Sequence, residues 1–301
     1  MNILISGSSG LVGSALIKRL SKEGYSIRKL VRYPPSNPDE IQWSPYSGVK
    51  NPELLEGTDT VIHLAGANLT GKRWSNKWKN VLYDSRILGT RSLCESISKL
   101  KIPPKLLISS SAVGYYGNCR NTTPTEENDN GTGFLANLCY DWEKATTSAE
   151  NAGIRVIKLR TGLVISPLGG VLSRMLPMFR IGLGGKIGDG KQFMSWISID
   201  DLTELIFFCI NTESVSGPIN TVAPVPVTNS DFTKILTNIL HRPAPFTIPK
   251  FALRLAFGEM ADETLLSSQR VIPEKIMSEG FKFTFQNLKE AIMDIFFDES
   301  S

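Results

Sequence analysis

Two periods of hydrophobic spacing alternate along the first thirty residues. Ile3-Leu4-Ile5, within Asn2 to Ser6, is an unbroken apolar run of the kind a strand buried on both faces presents. Leu11, Ala15, Leu16 and Leu20 then recur at the spacing of one helix face. Gly7, Gly10 and Gly13 lie at the junction, and Gly24 stands where a C-cap should close the helix. Tyr25 to Val31 is a second strand, so the unit is strand, helix, strand. After the loop Pro34 to Pro38, Ile41 to Trp43 suggests a short third strand, and Thr60 to Ala67 is a fourth that closes on small residues. Trp78, Val81, Leu82, Ile87, Leu88, Leu93 and Ile97 predict a long helix over 74–100, which Pro103 and Pro104 stop. Lys105 to Ser109 and Arg155 to Thr161 are strands, and Leu202 to Ile210 is a helix. Beyond Gly217, frequent prolines separate short helices at 231–240, 250–257 and 287–297.

Strands alternating with helices predict an α/β fold, a Rossmann-like doubly wound parallel sheet over residues 1–217. Residues 218–301 then form a small C-terminal subdomain on the substrate side, and some residues of 165–200 form a substrate loop. Length allows this, since 301 residues with 41% hydrophobic content bury a large core. A net charge of +4, spread without a basic block, indicates neither nucleic acid nor a membrane surface as partner. No apolar run reaches the roughly 20 residues a bilayer span needs, and the chain opens directly on a strand, so a cytoplasmic location is expected. Four scattered cysteines and two histidines give no metal-binding spacing.

The opening turn has the chemistry of a nucleotide cradle. Gly7 permits a tight turn, Gly10 lets backbone approach a pyrophosphate, and Gly13 lets helix and strand pack closely, with Ser9, Leu11 and Val12 between them. The helix start directs free amides and its positive dipole end at phosphate. About 20 residues on, where an acid would hold a ribose hydroxyl, stands Arg32, whose guanidinium suits a 2′-phosphate and so predicts NADP(H). Leu64, Ala65 and Gly66 close the fourth strand with side chains small enough to line the cofactor, and His63 just before them reads as a packed core residue.

With the glycine turn, the Leu64-Ala65-Gly66 strand end, Gly89-Thr90 and the turn Ser109-Ser110-Ser111-Ala112 to Tyr116-Gly117, the chain resembles the extended short-chain dehydrogenase/reductase superfamily. More narrowly it is similar to its atypical, YfcH-like "epimerase family" branch, through Lys72-Arg73-Trp74, Asp84 to Ile87, Leu183 to Gly188, Trp196 to Asp201 and Gln269 to Pro273. The resemblance implies nicotinamide-dependent chemistry on a small carbonyl or alcohol substrate, with serine, tyrosine and lysine as catalytic set. Ser111 matches the serine, with Ser110 as alternative, but the tyrosine and lysine positions fall at or beside Phe134 and Leu138. Tyr140 and Lys144 repeat the spacing one and a half turns later, rotated by roughly 240°. Tyr116 is a further candidate acid. The resemblance places Ser109 and Leu163 along the cofactor and Gln192 and Trp196 at the substrate, and makes the turn at Asp200-Asp201 a helix N-cap. Arg86 replaces an asparagine and is expected to reach cofactor phosphates or an anionic substrate; the other reading is a surface arginine paired with Asp84 or Glu95. An oxidoreductase or epimerase working without the usual dyad is expected, with a catalytically weak NADP(H) sensor as the alternative, and a homodimer by analogy.

Overall fold

A computed structural model describes residues 1–120 and 122–297. They form two compact units, one of residues 1–111, 138–159 and 203–219, the other of 112–137, 160–202 and 220 onward. The strands of the first are β1 (Asn2–Ser6), β2 (Ser26–Val31), β3 (Glu40–Ser44), β4 (Gly48–Val49), β5 (Thr60–His63), β6 (Leu106–Ala112) and β7 (Arg155–Thr161). Four short strands of the second unit follow: β8 (Leu163–Ser166), β9 (Gly185–Ile187), β10 (Phe193–Met194) and β11 (Trp196–Ser198). With β12 (Gly217–Thr221) the large sheet is complete, in the order β12-β7-β6-β5-β1-β2-β3-β4.

β1 pairs in parallel with β2 and β5, and β5 with β6, while β4 turns back antiparallel on β3. The chain leaves β1 toward β2 and β3, then returns to continue on the other side through β5. This reversal is a topological switch point, and the crevice it creates lies at the carboxyl ends of β1 and β5. The sheet is Rossmann-like and its parallel strands are covered on both faces. Leu4, Val61, Leu107 and Val156 cluster with Leu93, Cys94 and Ile97 of α2 (Asn76–Ser98), while Ile3, Ile5, Ile62 and Ile108 are buried on the opposite face. That double burial is why these strands read as unbroken apolar runs. The helix after β1, α1 (Leu11–Ser21), is tied to the far part of the chain by Arg19, which pairs with Glu204 and lies 3.9 Å over the Phe207 ring. α3 (Phe134–Lys144) and α4 (Thr147–Asn151) precede β7.

Several boundaries differ from the sequence reading. The long helix is two residues shorter at each end, because the Ser75 hydroxyl caps it by accepting the Trp78 amide at 3.2 Å. The fourth strand stops at His63, four residues early, and β6 runs on to Ala112.

In the second unit α5 (Gly170–Arg180), α7 (Asn229–Leu240) and α10 (Leu288–Phe297) bury Leu176, Phe232 and Ile292 around Trp196. β8 runs parallel to β11, and β10 pairs with β13 (Val227–Thr228). The glycine-rich stretch 182–190 holds β9, which pairs with β14 (Phe246–Ile248). A Cβ on Gly185 would lie 2.2 Å from the Phe246 carbonyl oxygen, so glycine there serves a close strand approach. α8 (Lys250–Phe257) and α9 (Glu274–Ser278) complete the unit. At the start of α6 (Ile199–Asn211) the Ser198 hydroxyl accepts the Asp201 amide at 2.9 Å. Asp201 anchors the C-terminal segment, its carboxylate accepting the amides of Thr284 at 2.7 Å and Phe285 at 3.1 Å. No described helix is long and apolar enough to cross a membrane.

Candidate functional site

The crevice of the first unit is built from close backbone contacts. Gly7 has φ +72°, and a Cβ there would lie 2.8 Å from the Leu64 carbonyl carbon. A Cβ on Gly13 would lie 2.3 Å from the Gly7 oxygen and 2.9 Å from Ser8 Cα. The turn after β1 is thus pressed between the start of α1 and the segment after β5, and only glycine fits at both places. Gly10 is the N-cap of α1 and carries no side chain to block the first amides, and no acid sits in the first turn to neutralise the dipole. Ser9 and Gly10 are exposed, and Leu11 and Val12 are half-buried. Arg32, exposed directly after β2, has no described hydrogen-bond or ion-pair partner.

Arg86 is placed by tertiary contacts that neither sequence alternative anticipated. It is buried, stacks 5.0 Å over Trp142, and donates to the carbonyls of Ala67 at 3.0 Å and Leu82 at 3.2 Å. Asp84 and Glu95 are not its partners. The neighbouring Ser85 hydroxyl accepts the Ala67 amide at 3.1 Å, so α2 grips both backbone groups of the residue after Gly66. Burial pushes the pKa of Arg86 down. Its guanidinium carbon would lie 3.4 Å from a Cβ on Gly66, so the cation stands beside the crevice, held by carbonyls and an indole ring.

Along one face of the sheet, at its carboxyl end, Ser6, His63 and Ser109 are register neighbours. His63 is wholly buried, with Nδ1 2.6 Å from Ser6 Oγ and its ring edge-on to Trp43 at 5.6 Å. Burial pulls its pKa down to about 4, so it is neutral and part of the core. Its Nε2 and the Ser109 hydroxyl have no hydrogen-bond partner among the described residues. Ser109 therefore lies below the surface of the crevice. Ser111, on the same strand, donates to Glu143 Oε1 at 2.7 Å. Glu143 belongs to α3, held by its neighbour Trp142, whose indole donates to Thr90 Oγ1 at 2.9 Å. No sequence pattern signals these contacts, which join residues 32 and 52 positions apart. Tyr140 and Lys144 face outward, Tyr140 37% exposed and Lys144 4.5 Å over its ring.

Most of the remaining candidates lie in the second unit. The Tyr116 hydroxyl donates to Asn220 Oδ1 at 2.7 Å and accepts from Arg160 at 2.8 Å. Burial drives its pKa up to about 12, against the pull of Arg160, which lies 3.5 Å over Tyr115. A hydroxyl so engaged, with its proton held that tightly, suits a structural knot better than proton transfer near neutrality. Glu126 joins that knot, accepting the Asn220 amide at 2.9 Å. Gln192 is buried and its amide bridges the carbonyls of Ile187 and Leu265, each at 3.2 Å. Trp196 is 1% exposed in the core and donates to the Val225 carbonyl at 2.9 Å, which leaves it no surface for a substrate. Leu163, half-buried, pairs with it across β8 and β11. Phe134 and Leu138 carry no titratable group, and the amides of Phe134 and Leu135 are capped by Glu263 at 3.3 and 3.1 Å. Among the described residues no cluster of histidine, cysteine or acid side chains can hold a metal ion.

Comparison with known proteins agrees with this geometry. Residues 3–222 match the family described as "NAD dependent epimerase/dehydratase family", and residues 248–295 match a domain of unknown function, DUF1731. The epimerase family protein Mb2239 of Mycobacterium bovis is 44% identical over 290 residues, covering 96% of each chain. The crystal structure of the human epimerase family protein SDR39U1 with NADPH aligns with TM-score 0.90 and 31% identity, covering 98% of this chain and 99% of that one. A nucleoside-diphosphate sugar epimerase from Corynebacterium glutamicum aligns with TM-score 0.79 and 38% identity, covering 97% of this chain and 57% of that one.

Proposed function

Because the chain belongs to the NAD dependent epimerase/dehydratase family, we propose that its first unit binds NADP(H) and uses it on a small carbonyl or alcohol substrate, as an oxidoreductase or epimerase. The observation that carries this is the crevice at the switch point. Its backbones approach until no Cβ fits at Gly7 or Gly13, the geometry that brings amides to a diphosphate. In this reading the amides from Ser9 to Gly13 hold the diphosphate, and Leu64, Ala65 and Gly66 line the adjoining wall. Arg86 adds positive potential from beneath Gly66. Arg32, exposed and with no described partner, takes the 2′-phosphate, and the human relative crystallised with NADPH supports that choice of cofactor. When bound, the nicotinamide supplies a hydride donor or acceptor; the protein supplies binding, orientation and proton handling.

Calorimetry with NADPH and NADH tests the cofactor assignment. Arg32→Ala should weaken NADPH by about 1 to 3 kcal/mol and leave NADH nearly unchanged, as expected for one charge-assisted contact. Equal weakening of both would defeat it. A second reading, an NADP(H)-binding sensor with little turnover, is favoured by Phe134 and Leu138, which cannot move a proton. Turnover that disappears in Ser111→Ala would reject it.

A further inference from the structure

Hydride transfer at an oxygen-bearing carbon requires a proton to move as well, and Phe134 and Leu138 cannot carry it. Other groups of the first unit are unsuited to that task. His63 is enclosed in the core, Arg86 never gives up a proton near neutrality, and Tyr140 and Lys144 face outward. Ser111 and Glu143 of the same unit are a joined pair, 4% and 9% exposed, with the hydroxyl 2.7 Å from Oε1.

The direction of that bond has a chemical consequence. A carboxylate only accepts, so the hydrogen of Ser111 is committed to Glu143, and Oγ presents lone pairs elsewhere. Such a hydroxyl can receive the proton of an alcohol. It is poorly placed to donate one to a carbonyl.

Building on the NADP(H) reading, we propose that Ser111 and Glu143 form a proton relay that replaces the missing tyrosine and lysine and favours alcohol oxidation. In the relay the substrate O–H bond breaks and its proton bonds to Ser111 Oγ, while the Ser111 O–H bond breaks and that proton passes to Glu143 Oε1. The substrate carbon is oxidised to a carbonyl as its hydride, with the electron pair, reduces NADP⁺; Glu143 returns its proton to solvent. Ser111 is the catalytic residue, and Glu143 acts through it as a positioning residue. Trp142, pinned by Thr90 and Arg86, keeps this turn of α3 against the strand.

The test takes the full chain with NADP⁺ and four alcohols: isopropanol, cyclohexanol, xylitol and mandelate. At least one should be oxidised. Glu143→Gln should lower kcat about a hundredfold or more and change KM little, while Glu143→Asp recovers part of the rate. Ser111→Ala should lose the rate equally and keep its affinity for NADP⁺; it carries the test should Glu143→Gln not fold. Infrared difference spectra of the protein without cofactor supply an independent readout. The carboxyl band missing from Glu143→Gln should be displaced in Ser111→Ala, which removes its hydrogen-bond donor. A Glu143 band unmoved in Ser111→Ala, an unchanged kcat in Glu143→Gln, or no oxidation of any of the four by protein that binds NADP⁺ would each overturn the relay. Failure of the wild-type chain to bind NADP⁺ would instead bring down the NADP(H) reading beneath it.

Discussion

His63 makes the stability of the first unit depend on pH in a way its burial determines. The imidazole is wholly inside the sheet, one nitrogen on Ser6 and the ring against Trp43, and burial lowers its pKa from 6.5 to about 4. Above pH 6.5 the ring is neutral in folded and unfolded chain alike, and the fold has its full stability with respect to this group. Below 6.5 the unfolded chain takes up a proton that the folded chain refuses, so stability is lost as pH falls, until the folded pKa of about 4 is reached. Mid-window each pH unit is worth about 1.4 kcal/mol and less toward either end, so acidification from pH 6.5 to 4.5 should remove about 2.2 kcal/mol through His63 alone. Buried Glu126, whose pKa burial raises, titrates with the opposite sign, so wild type must be compared with a variant. The assay is urea unfolding of wild type and His63→Asn at several pH values, monitored by tryptophan fluorescence. His63→Asn will start from lower stability but should fall with pH less steeply, by about 1.4 kcal/mol per unit. Parallel slopes would refute the reasoning and mean that the ring is protonated, or reached by water, in the folded chain.

Two further substitutions test other parts of the structure. Gly13→Ala places a methyl 2.3 Å from the Gly7 oxygen and must displace α1 from the turn; NADPH affinity measured by calorimetry should fall about tenfold or more, with the far-ultraviolet dichroism retained. Unaltered affinity would remove the glycine turn from the cofactor site. Tyr116→Phe leaves Asn220 and Arg160 each without one buried partner, and denaturant unfolding should show a loss of about 1 to 3 kcal/mol. If turnover falls while stability does not, Tyr116 is a proton donor after all.

The strand and helix pattern of the large sheet, its parallel character and the glycine turn were all legible in the linear chain. Each depends on residues close in sequence: an apolar run for a strand buried on both faces, a helical period for α1 and α2, and glycines three apart where backbones must touch. Short strands such as β9 and β14 were not legible, since two or three residues carry no period and their pairing spans about sixty positions. The same limit applies to the chemistry. Nothing local marks Glu143 as the partner of Ser111, Trp142 and the Ala67 carbonyl as partners of Arg86, or Asn220 as that of Tyr116. Those contacts form only when distant segments pack, and packing also removed the candidates that motif position had advanced. It enclosed Trp196 in the core, tied Gln192 to backbone carbonyls and locked Tyr116 in a buried knot. Sequence determined where the chain turns and which faces it buries, because those choices are made over a few residues; tertiary structure decided which polar groups face one another, because burial and hydrogen bonding depend on neighbours that the linear order does not specify.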